Sequence, residues 1–93
     1  MDAKLISFVM SGKNRRNVLN LLSTGTKLTS SQIYKKLNYT YLSHVIRTLK
    51  DLDQKGLVKC LNPEDRIFKF YEITKKGKEI NKEAQKMITE LIK

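Results

Sequence analysis

The sequence predicts an α+β fold, mainly α, with a run of helices, a two-stranded hairpin and a closing helix. Three observations predict it. Between Thr29 and Gly56, apolar residues recur at helical spacing in two short stretches with a turn between them. After Gly56 the period becomes extended, and after Thr74 it turns helical again.

Each element has its own local signal. Residues 3–10 are apolar at 5, 6, 8, 9 and 10, which suits a short helix better than an alternating strand. Ser11 is the expected cap of the next helix, where Val18, Leu19, Leu21 and Leu22 supply core contacts. The alternative is one bent helix pivoting near Gly12. Gly25 ends this unit, and Lys27-Leu28 is expected to form a very short strand paired with the hairpin. Thr29-x-x-Gln32 is a capping box, in which hydroxyl and amide each satisfy the other residue's backbone N–H. Ile33 and Leu37 follow as one stripe. Asn38, tolerant of left-handed backbone, should stop this helix.

Thr40 is expected to cap the second helix of the pair. In it Leu42, Val45, Ile46, Leu49 and Leu52 share the apolar face, and Gly56 closes the end. At 100° per residue the opposite face holds Ser43, His44, Arg47, Asp51 and Gln54, flanked by Tyr41, Thr48 and Lys50. Residues 57–61 and 67–73 read as strands, with Asn62-Pro63-Glu64-Asp65-Arg66 as the turn. The last helix should run from 75 to 92. Its Ile80, Ala84, Met87 and Leu91 are spaced 4, 3 and 4, the rhythm of a coiled-coil seam, and Ile88 and Ile92 widen the stripe. That stripe either packs on its own domain or forms a dimer surface shared with residues 3–10; a homodimer is the preferred reading.

A helix-turn-helix at 29–56, a wing at 57–73 and a closing helix at 75–92 make a winged helix-turn-helix, so residues 1–93 read as one domain. The motifs narrow this further. Leu57-Val58-Lys59-Cys60-Leu61-Asn62-Pro63 and Tyr71-Glu72-Ile73-Thr74-Lys75-Lys76-Gly77 resemble small prokaryotic, especially archaeal, winged-helix transcription regulators related to the ArsR and MarR families. Ser43-His44-Val45-Ile46-Arg47-Thr48-Leu49 is similar to their recognition helix, and Ser11-Gly12-Lys13-Asn14-Arg15 to the start of their first helix. The resemblance implies sequence-specific binding of double-stranded DNA, usually as a dimer; it does not imply a small-molecule effector, and none is evident in the sequence. The chain departs from the pattern in its wing, which has Pro63 and no Gly between Gly56 and Gly77. It also lacks the paired Cys or His ligands of metal-sensing ArsR proteins, so neither metal nor cofactor is expected.

Composition agrees. The 93 residues carry 19 basic and 9 acidic side chains, a net charge of +10. Residues 1–56 hold 10 Lys/Arg against 3 Asp, so most of the excess lies in the helical half. Such a balance favours a polyanionic partner. One Cys allows no internal disulfide and fits a reducing cytoplasm. Cys60, in an expected strand, reads as an inert buried thiol. No stretch approaches the ~20 apolar residues of a membrane span.

These features assign candidate roles. The major groove, about 12 Å wide, admits one helix. Arg47 is the leading base reader, since a guanidinium can bond O6 and N7 of guanine together. Ser43 and His44 read bases or phosphates. Tyr41 reaches a phosphate or packs on Tyr39, Thr40 stands at the helix start, and Lys50 lies at the edge. Lys13, Arg15, Arg16, Lys35 and Lys36 are candidates for the DNA backbone, and Lys59, Arg66 and Lys69 for the wing contact. Phe68 and Phe70 are expected in core or interface packing. No enzyme is expected: the sequence has one His and one Cys, no paired metal-ligand spacing and no Gly-rich phosphate loop. The rival reading is a winged helix that serves protein or RNA interactions without specific DNA readout.

Overall fold

Local capping chemistry and left-handed backbone set most element boundaries. The computed structural model describes residues 2–92; the two ends of the expected 1–93 domain lie outside them. Asp2 caps α1 (Ala3–Met10), its carboxylate accepting from the Lys4 and Leu5 N–H groups at 3.0 and 3.2 Å. Helix α2 (Lys13–Leu22) is separate, with Gly12 at its N-cap and no side-chain bond there. Ser11 therefore does not cap α2. Its hydroxyl turns back to donate to the Phe8 carbonyl at 3.2 Å and so closes α1.

The short strand β1 (Leu28–Thr29) leads into α3 (Ser30–Lys36), and the expected capping box is complete. The Gln32 N–H donates to Thr29 Oγ1 at 3.2 Å, and the Thr29 N–H to Gln32 Oε1 at 2.9 Å. The chain leaves α3 through Asn38 at φ +56°. There the Asn38 and Tyr39 N–H groups donate to the Lys35 and Tyr34 carbonyls, a Schellman closure. Helix α4 (Leu42–Gln54) begins one residue later than expected: extended Tyr41, not Thr40, is the N-cap, and it makes no side-chain cap bond. Gly56, at φ +74°, ends α4 with a second Schellman closure, Gly56 N–H to Asp53 and Leu57 N–H to Leu52.

Strands β2 (Val58–Cys60) and β3 (Phe70–Ile73) form the wing, and α5 (Lys75–Leu91) closes the chain. All pairing is antiparallel in the order β1-β3-β2, with Leu28 opposite Tyr71 and Val58 opposite Ile73. Both wing strands are shorter than expected, and residues 67–69 lie in the loop. In that loop the Asp65 carboxylate accepts from the Ile67 and Phe68 N–H groups at 2.8 Å. The Asn62 amide accepts from the Phe70 N–H at 2.7 Å and donates to the Phe68 carbonyl. Side chains thus replace the ladder. Among the described residues only Asn38 combines a positive φ with a side chain, so the wing bends without a left-handed residue.

The core lies where α2, α3 and α4 meet the sheet, with Leu19, Leu22, Ile33, Leu49, Leu52 and Leu57 sealed from solvent. Helix α1 packs on α5. This corrects the expected dimer seam: Ile80 and Ala84, 3% and 0% exposed, are core residues of this chain because α1 covers them. Only the distal part of the stripe is open, with Leu91 75% exposed, Met87 exposed and Ile88 half-buried.

The start of α5 is locked to the end of α4. Thr74 accepts from the Gly77 N–H at 2.9 Å, donates its hydroxyl to the Gly56 carbonyl at 2.7 Å, and donates its N–H to the Leu57 carbonyl at 3.0 Å. A Cβ on Gly77 would overlap the Leu57 carbonyl oxygen and stand 2.8 Å from Ile73 Cγ1. Gly77→Ala should therefore destabilise the fold by about 1–3 kcal/mol, although Ala is the better helix former. Urea unfolding would measure it, and an unchanged or raised midpoint would contradict the close approach.

Candidate nucleic-acid interface

Helix α4 buries Val45, Thr48, Leu49 and Leu52 and leaves Ser43, His44, Ile46, Arg47 and Lys50 exposed. The helix is turned relative to the sequence expectation. Ile46, assigned to the core face, is 51% exposed, whereas Thr48, assigned to the flank, is 6% exposed. The Thr48 hydroxyl donates to the His44 carbonyl at 2.7 Å, which satisfies it within the helix and lets its methyl face inward. The outward face is thereby centred on Ser43, Arg47 and Lys50, with Ile46 toward the wing and His44 toward α2. Arg47 is exposed among the described residues.

The N-terminal part of α2 lies beside this face. Lys13 and Asn14 line a cleft with Asn38, Tyr39, Thr40, Tyr41 and His44. Lys13 and Arg15 share a second cleft with Arg47, Thr48 and Asp51. Tyr41 meets His44 edge-on at 5.4 Å rather than packing on Tyr39. The Tyr39 hydroxyl instead accepts from the Asn17 amide at 3.1 Å, which ties the α3–α4 turn to α2. Thr40, Lys35 and Lys36 are exposed.

Three predicted phosphate contacts have partners within the chain. Arg15 donates to the Phe8 carbonyl at 2.7 Å, and its guanidinium lies 3.8 Å over the Phe8 ring. Arg16 donates to the Met10 carbonyl. Both are half-buried and neutralise the carbonyl end of α1. Lys59 pairs with Glu72 on the neighbouring strand at 3.4 Å, the one salt bridge among the described residues. Such a surface pair is weak, yet it places a carboxylate beside that cation. Arg66 is exposed at the wing and Lys69 half-buried.

The wing loop differs from expectation in its apolar residues as well. Ile67, Phe68 and Phe70 are exposed rather than packed in the core. Cys60 is half-buried rather than fully enclosed, its Sγ facing the Asn62 amide oxygen at 3.9 Å. Sequence reasoning missed Asn62 and Asp65 as organisers of the loop. Their signal was present as an Asn-x-x-Asp pattern astride Pro63, the residue types that bond nearby backbone in turns. It also missed Ile46 as a surface residue, and hydropathy alone carries no signal for that.

The Asp65 carboxyl is held below its ordinary 3.8 chiefly by the Phe68 and Ile67 N–H bonds, with Lys69 adding to them. A depressed carboxyl contributes order above its unfolded pKa and loses it as pH falls through the folded value. The Ile67 and Phe68 amide resonances should therefore titrate together with a midpoint below 3.8. A midpoint at or above that value in an NMR titration would remove Asp65 from the loop's support.

A family model described as a winged helix DNA-binding domain matches residues 12–77. Among solved structures, a cysteine-to-serine mutant of MarR from E. coli complexed with operator DNA is similar at a TM-score of 0.71 and 23% identity, covering 91% of this chain and 64% of that one. The adhesin competence repressor AdcR from Streptococcus pyogenes is similar at 0.68 and 22%, covering 87% and 60%. A MarR family regulator from Neisseria meningitidis is similar at 0.69 and 25%, covering 85% and 56%. The chain spans less than two thirds of the length of these three proteins. A search of curated protein sequences gives no match.

Proposed function

Because the chain belongs to the winged helix DNA-binding domain family, we propose that it binds double-stranded DNA sequence-specifically and regulates transcription as a homodimer. The observation that carries this reading is the outward face of α4. Ser43, Arg47 and Lys50 project together from a helix whose other side is anchored in the core. A helix held this way can enter the major groove and offer Arg47 to guanine O6 and N7. The operator bound by the similar MarR structure supports a duplex as the partner.

In this reading Lys13, Lys35 and Lys36 meet phosphates from α2 and α3. Thr40, Tyr41 and His44 line the cleft at the start of α4, and Arg66 and Lys69 serve the wing. Arg15, Arg16 and Lys59, already engaged within the chain, contribute field more than direct contact. Met87, Ile88 and Leu91 carry the dimer. Half-sites would then lie about one helical turn apart, near 10 bp. If six to ten phosphates are neutralised per dimer, affinity falls ~10³–10⁵-fold between 50 and 200 mM salt.

Selection from a random duplex library tests the reading directly. Arg47→Ala should weaken the selected site by about 1–3 kcal/mol and relax base preference at one position. Lys36→Ala should weaken all sequences alike and reduce the salt slope by about one. Retained selectivity in the Arg47 variant, or no duplex binding at low salt, contradicts the proposal. For the assembly, Leu91→Lys should shift sedimentation from dimer toward monomer; an unaltered distribution would take the distal α5 out of the interface.

A further inference from the structure

A groove runs between α4 and the wing. Ile46, Leu49, Ile67 and Tyr71 form its apolar lining, and Ser30, Arg66 and Lys69 complete it. Two cations line it and, among the described residues, no carboxylate does. Its exposed apolar members are Ile46 on the helix and Ile67 on the wing. On α4, Ile46 follows Ser43 by three positions and precedes Lys50 by four, so at 100° per residue the three side chains project within about 60° of one another. Ile46 thus belongs to the same face as Ser43 and Lys50.

An isoleucine in this place forgoes core burial and offers no hydrogen bond. The major groove has one base-edge group that such a side chain complements, the C5 methyl of thymine. We propose that Ile46 is a specificity residue that packs on a thymine methyl, while Arg66 and Lys69 hold the adjoining phosphates and Ile67 shields the contact from water. The assignment rests on the duplex-reading function proposed above and is continuous with its helix face. Uracil lacks this methyl, and the deep, narrow major groove of A-form RNA excludes side chains, so the same contact favours DNA over RNA.

The test uses the duplex recovered from the random library, resynthesised with each thymine replaced in turn by deoxyuridine. Affinities are measured for the native chain and for Ile46→Ala, with thermal unfolding to confirm that the variant, altered at a half-exposed position, remains folded. Native protein should lose about fourfold at one thymine per half-site, the worth of burying one methyl-sized group. Ile46→Ala should bind the parent duplex more weakly and be indifferent to that same replacement. Equal sensitivity of both proteins, or no sensitive thymine, overturns the assignment while leaving duplex recognition intact. If Ile46→Ala instead abolishes self-association with thymine dependence unchanged, the groove belongs to a second copy of the chain and the assignment fails. Failure of every duplex to bind overturns both this inference and the function beneath it.

Discussion

The fold depends on the close approach of Gly77 to the Leu57 backbone. Four elements converge there: α4 is closed by left-handed Gly56, β2 begins at Val58, β3 ends at Ile73, and α5 begins under the Thr74 cap. A side chain at 77 would push the first turn of α5 away from Leu57. The Thr74 bonds to Gly56 and Leu57 would then lengthen, and the wing strands would lose the frame that fixes them against α4. One missing Cβ therefore sets where the wing stands relative to α4.

Charge has a similar structural division of labour. The net charge of +10 suggests a uniformly attractive surface, but the chain engages several cations internally. Arg15 and Arg16 close the carbonyl end of α1, and Lys59 is matched by Glu72. Exposed cations remain on α1 and α5 as well, but those that flank the outward face of α4 are the smaller set Lys13, Lys35, Lys36, Arg47, Lys50 and Arg66, from α2, α3, α4 and the wing. Long-range attraction depends on the total, whereas positioning depends on this smaller set.

How much was legible follows from the range of the forces involved. The Thr29 box, the left-handed Asn38, the stop at Gly56 and the start after Thr74 were all readable, because each is decided within about four residues. Errors arose where a distant or competing partner decides. Ile80 and Ala84 kept a seam-like spacing, yet α1 covers them, and no local pattern reveals that docking. Thr48 outcompeted Ile46 for the interior because a hydroxyl bonded to the carbonyl four residues back behaves as a small apolar group. Ser11 failed as a cap because its hydroxyl found the preceding helix first. Residues 67–69 had strand-like composition, but the Asn62 and Asp65 side chains captured the backbone groups that a ladder would have used. At the candidate interface, residue types indicated a surface charge for Arg15, while only coordinates reveal that it lies over Phe8.

Helix α5 joins these themes. Its proximal half is fixed from three sides: by the Thr74–Gly77 junction, by α1 over Ile80 and Ala84, and by α2 through Asn81 and Gln85, both of which donate to the Asn20 amide oxygen at 3.0 Å. The α2 contact is polar, and the Asn81 Oδ1 is buried without a partner. An unmet buried acceptor of this kind costs about 1–3 kcal/mol, so this layer specifies alignment more than it adds stability. If the distal half carries the dimer as proposed, its orientation is inherited from that alignment. The same junction that aims the wing would then also set the separation of two reading helices. A rigid path from interface to reader would convert half-site spacing into binding energy, and a hinge anywhere along α5 would dissipate it.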